Sequence, residues 1–391
     1  MKWVSTFKYL RINYGEKIAN ISDTTQRVTF TNNIDGNRVR IRFSNKYDDS
    51  PMTIEKAIIG KVKEDGLEDT AIITLGGKDR IELEPDTEAF SDEIAFDVSA
   101  GDKLFVSLYY KEKKDINSFC CYWSPDGAKV DFSGEGEGFV ITSEFLNQDP
   151  NLKIMSYFIG FDAVQVYTAD ETKVIAAFGD SITHMSFYTD ELYKRICAEC
   201  KGKVSLINSG IGGNRLVDDP AFIPDTDKRL VLFGEAGVKR FEKDVFELDE
   251  VDSVCCLIGI NDIMHPLQLE NRTDTITAKE LINGYKKIIS CAHNNGAEIY
   301  LGTIMPSWHD DYPAEWLSVF ETARNEVNAW IRKGELHDGV IDFDMALKNE
   351  DNNSKLKDGC HIGDGLHPNT KGGELMAGTV DLKTIVCARE R

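Results

Sequence analysis

The sequence predicts two domains: an all-β sandwich over residues 1–170, followed by an α/β domain over 171–391 built on a five-stranded parallel sheet flanked by helices. Three observations predict this. Apolar residues repeat at every second position up to about residue 170, and from Lys173 onward strand-length apolar runs alternate with segments whose apolar residues recur every three to four positions. A chain of 391 residues that is 41% hydrophobic also suffices for two cores.

In the first part, Val39, Ile41 and Phe43 alternate with Arg38, Arg40 and Arg42, the pattern of a strand with one wet face. Similar runs follow in TQRVTFT, MTIEKAIIGKV, TAIITLG, DRIELE, DEIAFDV and KLFVSLYY. Turn-rich pieces such as NNIDGN, SNKYDDSP and DVSAGDK separate them, a spacing expected of a sandwich. FSGEGEGF, Phe132 to Phe139, has glycines at alternate positions without completing a G-x-G-x-x-G phosphate pattern, and reads as a flexible loop. No catalytic motif stands out here. The boundary falls near 165–172, where TADETK is a short connection.

In the second part the five strands are KVIAAFG, KVSLINS, DSVCCLIG, AEIYLGT and GVIDFD. The helices between them are SFYTDELYKRICAEC, AGVKRFEKDVF, TAKELINGYKKIISCAHN and PAEWLSVFETARNEVNAWIRK.

Composition narrows the function. With 45 Lys and Arg against 66 Asp and Glu, the formal charge is −21, which repels nucleic-acid phosphates and anionic lipid surfaces and suits a neutral substrate. The opening MKWVSTFKYLRINYGEK is broken by Lys8, Arg11 and Lys17, so no secretory leader is expected. No apolar run approaches the roughly 20 residues needed to span a bilayer. Nine cysteines, with Cys120-Cys121 and Cys255-Cys256 adjacent, point to reduced thiols and a cytoplasmic setting. Cys197 and Cys200 have C-x-x-C spacing but lie toward the end of a helix, so packing is the expected role.

In an open parallel sheet ligands gather beyond the carboxyl ends of the strands, and four short motifs lie there. Ser181, in GDS after the first strand, can face the crevice near helix-terminal N–H groups, or simply cap the helix. NSGIGGNR, Asn208 to Arg215, brings backbone close to a ligand. Arg215 stands where a dinucleotide fingerprint needs a small residue, while Gly213 can donate its N–H to an oxyanion. GIND puts Asn261 at the mouth of the third strand, as a donor or as ordinary turn chemistry. In GDGLHPN, Asp364 and His367 are spaced for a base and its orienter. The alternatives are a helix start at Pro368, or metal ligation by His361, Asp364 and His367, for which the remaining histidines complete no set.

Together, in this order, the four motifs resemble the SGNH (GDSL-type) esterase and acylhydrolase family over residues 173–380, with GDSI in place of GDSL in the first block. NSGIGGNRL, EAGVKRFEKDVF and GDGLHPN look most like the branch that includes xylan-associated carbohydrate esterases. The preceding β domain is similar in placement to jelly-roll modules of some carbohydrate deacetylases. The resemblance implies a flavodoxin-like sheet and a triad of Ser181, His367 and Asp364. It also implies an oxyanion hole from Ser181, Gly213 and the Asn261 amide, with no metal or other cofactor.

The expected activity is hydrolysis of small acyl esters, acetyl first, on a small molecule or oligosaccharide. The alternatives are a lipase, lysophospholipase or thioesterase, or a noncatalytic carbohydrate-binding protein. Asp180 is assigned a structural role, His184 no catalytic role, and Arg215 a buried ion pair fixing the glycine loop. Three roles stay open for the first domain: covering the crevice, binding glycan, or holding a second subunit in a homo-oligomer.

Overall fold

The structure, a computed structural model, describes residues 1–62, 68–148, 153–223 and 226–386. It divides into two compact units, one of Met1–Thr172 with Arg195–Ile207, the other of Lys173–Lys194 with Asn208–Arg391.

The first unit is all-β apart from short helical turns. One five-stranded sheet runs Lys2–Lys8, Gly160–Thr168, Gly36–Ser44 and Ile94–Val98, with Glu88–Phe90 also paired to Gly36–Ser44. A six-stranded sheet runs Lys114–Ile116, Ala19–Thr31, Lys103–Tyr110, Lys56–Val62 and Glu68–Ile72, with Lys129–Ile141 also paired to Ala19–Thr31. These pairings are antiparallel. Phe7 of the first sheet stacks on Phe30 of the second with ring centroids 4.6 Å apart, so their apolar faces share a core.

FSGEGEGF is not a loop. It lies within the strand Lys129–Ile141, which pairs with Ala19–Thr31 and shifts register between Gly134 and Gly138. Two of the glycines serve close approach: a Cβ at Gly134 would lie 2.3 Å from the Asp23 carbonyl oxygen and one at Gly136 2.0 Å from that of Ser22, while Gly138 is glycine for its φ of +82°.

A parallel sheet follows Thr172 in the chain, and the segment 204–207 that begins one of its strands is grouped with the first unit. The strands of this sheet are β1 (Lys173–Gly179), β2 (Val204–Gly210), β3 (Ser253–Leu257), β4 (Glu298–Gly302) and β5 (Gly339–Ile341), in the order β2-β1-β3-β4-β5. This is the flavodoxin-type order that the family resemblance implies, and the pairings β1–β3, β3–β4 and β4–β5 are parallel. Val174 to Phe178 and Val254 to Leu257 are buried on both faces, which is why these strands read as continuous apolar runs.

The helices are α1 (Ser181–His184), α2 (Phe187–Glu199), α3 (Gly237–Phe246), α4 (Ile260–Leu269), α5 (Ala278–Asn294), α6 (Ala314–Lys333), α7 (Phe343–Leu347), α8 (Thr370–Gly378) and α9 (Leu382–Val386). Helix α5 starts with a capping box between Thr277 and Glu280. Among the described residues no helix is long and apolar enough to cross a membrane. The eight described cysteines are reduced thiols, and the ninth, Cys387, lies outside the described residues.

Candidate active site

The first motif turns sharply at the carboxyl end of β1. Asp180 is the N-cap of α1, its carboxylate accepting the Ile182 N–H at 3.0 Å, and Ser181 is the first helical residue. The cap is therefore Asp180, and the Ser181 hydroxyl is available for other work. His367 Nε2 lies 2.8 Å from Ser181 Oγ, and His367 Nδ1 lies 2.6 Å from Asp364 Oδ2.

Asp364 is held from below. Its other oxygen accepts the N–H groups of Leu366 and His367, both at 3.0 Å. Burial opposes the charge, but the bond to His367, its field and the two N–H groups outweigh it and hold the carboxyl down to about 2. The Asp364 and His367 side chains remain 38% and 20% exposed, so the relay opens to solvent on one side. His361 does not join them: its Nδ1 accepts the N–H groups of Gly363 and Gly365, each at 3.1 Å, and so shapes the loop.

The glycine loop is fixed from several sides. Gly213 has φ +70°, and a Cβ there would also sit 2.2 Å from the Phe233 ring, so glycine is required twice over. Asn214 is fully engaged: Nδ2 donates to the carbonyls of Phe233 and Glu235 at 2.7 and 2.8 Å, and Oδ1 accepts from Arg240 at 2.9 Å. Asn261 lies in the first turn of α4, not in a simple turn. It is buried, and its Nδ2 donates to the Asn214 carbonyl at 3.0 Å, tying the third motif to the second and leaving one amide hydrogen.

The neighbouring Asp262 accepts the N–H groups of Leu216 and Val217 at 2.7 and 2.8 Å, anchoring the chain just beyond the loop. Burial pushes both Asp180 and Asp262 up to about 7.

His184 is buried, and its Nδ1 accepts the Gly212 N–H at 3.0 Å. Arg215 is buried with Nη2 on Glu270 at 2.6 Å and Nε toward His265 Nδ1 at 3.4 Å. Burial, helped by Arg215, drives His265 down to about 3.

Two features escaped the sequence reading. Arg240 occupies the buried face of α3 with Gly237, Phe241 and Val245; an arginine inside an apolar stripe was the available signal. The second is a small, mostly apolar pocket of about 10 Å³, room for a single water, lined by Met264, Leu267, Gln268, Trp308, Tyr312 and Trp316 among others. Met264 and Gln268 follow Asn261 at helical spacing on α4. On the other side, His309 lies 3.3 Å from where a Cβ of Gly365 would stand, and Asp364 acts electrostatically on Tyr312. The pocket thus adjoins both the Asn261 helix and the Asp364–His367 loop. Nothing in its scattered residues carries a spacing signal.

A family model described as the GDSL-like lipase/acylhydrolase family matches residues 177–375, just over half of the chain, and the chain belongs to this family of hydrolases. No curated protein matches it. Among solved structures it is similar to Axe2, an acetylxylan esterase from Geobacillus stearothermophilus, at 17% identity over 56% of this chain and 96% of that one, with a TM-score of 0.41. It is similar also to LAE5, an alpha/beta hydrolase from the metagenome of Lake Arreo, at 18% identity over 55% and 96% with a TM-score of 0.40. A GDSL-like lipase from Bacteroides thetaiotaomicron aligns at 16% identity over 54% and 87%, with a TM-score of 0.38.

Proposed function

We propose that the protein is a serine esterase that removes small acyl groups, acetyl foremost, from carbohydrate esters. The observation that carries this reading is the continuous relay from Asp364 through His367 to Ser181, with contacts of 2.6 and 2.8 Å. His367, held in one tautomer by Asp364, takes the Ser181 proton as Oγ attacks the ester carbonyl. The tetrahedral oxyanion is met by the N–H groups of Ser181 and Gly213 and the Asn261 amide. His367 then gives its proton to the departing alcohol oxygen, leaving an acyl-enzyme. Water, deprotonated by the same imidazole, attacks the acyl carbon, and Ser181 recovers its proton as the acid leaves.

The alcohol side is assigned to carbohydrate on two grounds. The charge of −21 disfavours phosphorylated lipid headgroups, and the half-buried rings of Tyr312 and Trp316, with the Gln268 amide near them, offer the stacking faces and the polar edge that a sugar ring uses. The buried reduced thiols fit a reducing cytoplasm, where oligosaccharides and not intact polymer would be the substrate.

The reading is tested by fluorophosphonate labelling and by ester hydrolysis. Ser181 should be the labelled residue, acetyl nitrophenyl ester should be preferred over octanoyl, and acetate should be released from acetylated oligosaccharides. Preference for octanoyl would move the assignment to a lipase or thioesterase, and full activity in Ser181→Ala would end it.

A further inference from the structure

The guanidinium of Arg240 joins three separate pieces of chain that each hold part of the site. Its Nη2 donates to the Gly179 carbonyl at 2.7 Å, the residue two before Ser181. Nη1 donates to the Ser209 carbonyl at 3.0 Å, at the end of β2. Nε donates to Asn214 Oδ1 at 2.9 Å, directly after Gly213. The Gly179 carbonyl also accepts the Ile211 N–H at 3.1 Å, so the strand end before Ser181 and the glycine loop share one acceptor.

A buried cation needs a counter-charge, and Asp244 supplies it one turn on, at 2.8 Å from Nη1, while the Asp244 carbonyl accepts the Ser209 hydroxyl at 2.9 Å. The guanidinium also stacks over the Phe178 ring, 4.2 Å from its centroid. A hydrophobic residue would fill this space without linking the three acceptors, and a lysine offers one nitrogen where three directions are required. The expense of burying a charge is repaid in geometry: the nucleophile's turn and the oxyanion donor's loop cannot drift apart while one rigid fork holds both.

We propose that Arg240 is a positioning residue that sets the spacing between Ser181 and the Gly213 N–H, acting through Gly179 and Asn214 without touching substrate. The inference rests on the esterase reading above. Its signature is a loss of kcat at nearly constant KM, because the spacing matters to the oxyanion and little to the bound ester. A displacement of about 1 Å at such a site is worth on the order of 100-fold in turnover.

The test is nitrophenyl acetate hydrolysis by Arg240→Lys and Arg240→Ala, below each variant's melting temperature, with the folded fraction measured by circular dichroism. Arg240→Lys is expected to lose roughly 100-fold in kcat with KM little changed. Added millimolar guanidinium is expected to restore part of the kcat of Arg240→Ala. Wild-type kcat in folded Arg240→Lys, or a lowered melting temperature with unchanged kcat, would overturn the proposal, as would failure of guanidinium to raise the kcat of folded Arg240→Ala. Should neither variant fold, Asn214→Ser, which withdraws only the Nε acceptor and the Asn214 amide, is expected to lower kcat at constant KM, and wild-type kcat there overturns it. Ser181→Ala in the same assay separates the two readings. Retained activity sinks the esterase mechanism itself, whereas a dead Ser181→Ala beside a fully active Arg240→Lys sinks only the role of Arg240.

Discussion

Asp180, and not Ser181, caps the helix that begins at the serine: its carboxylate accepts the Ile182 N–H at 3.0 Å, and Ser181 Oγ lies 2.8 Å from His367 Nε2. A serine at a helix start usually spends its oxygen on a backbone N–H. Here the preceding aspartate meets that need, so the hydroxyl can face an imidazole contributed from 186 residues further along the chain.

If that hydroxyl is the nucleophile, Ser181→Ala and His367→Ala should each fall to the residual rate that oxyanion donors and binding provide. Asp364→Asn should keep the fold yet lose on the order of 10⁴ in kcat, since its amide would hold the wrong imidazole tautomer. Steady-state hydrolysis of nitrophenyl acetate checks all three.

Asn261→Ala removes one of the proposed oxyanion donors and also frees the Asn214 carbonyl it binds. A fall of about 100- to 1,000-fold in kcat with KM little altered is expected. An equal loss in KM and none in kcat would assign Asn261 to ground-state binding.

The pieces that were legible in the sequence were those with local signals. β1 was visible as five apolar residues, and Asp364 and His367 as neighbours three apart; the strand order 2-1-3-4-5 was implied by the family resemblance. Elements with hidden periodicity were not. Lys2–Lys8 and Gly160–Thr168 are buried on both faces over most of their length, so no alternation marks them. Helix α4 contains Pro266, a residue that argues against helix in sequence yet is tolerated here in the interior. The convergence on Arg240 could not be seen at all, because Gly179 and Ser209 contribute carbonyls, which every residue has.

His184 accepts the Gly212 N–H through Nδ1 while buried. Replacing it with phenylalanine leaves that N–H without this acceptor beside Gly213, at a cost of about 1–3 kcal/mol. Thermal melting of His184→Phe should show this loss, accompanied by a lower kcat as the loop relaxes. A melting point equal to wild type would mean that water or another group takes the N–H at no cost.

Stability should fall as pH rises from about 4 to 7. Burial raises Asp180 and Asp262 to about 7, so in this window the native state holds protons that the unfolded chain has released, and deprotonation disfavours folding. His265 works the other way. Lowered to about 3, it stays neutral when folded while the unfolded imidazole takes a proton below about 6.5, so its contribution grows with pH up to that point. The two aspartates outnumber it, and Asp180→Asn, which keeps the acceptor for Ile182, should flatten the slope of melting temperature against pH between 4 and 7. An unchanged slope would remove Asp180 from the account.

The pocket beside the relay gives the last prediction, and it separates alcohol from acyl recognition. Trp308 and Tyr312 meet edge to face at 5.5 Å and Tyr312 lies 6.2 Å from Trp316, so the wall is a set of rings with Gln268 beside them. If the rings carry the sugar, Trp316→Ala removes a stacking face and should raise KM for acetylated oligosaccharides about tenfold, the equivalent of about 1.4 kcal/mol, while nitrophenyl acetate is hydrolysed as before. If they carry the acyl chain, the same variant should spare the sugar ester and instead lose activity on octanoyl nitrophenyl ester. Measuring both substrates on one preparation distinguishes these results from a general loss of fold, which would lower both together.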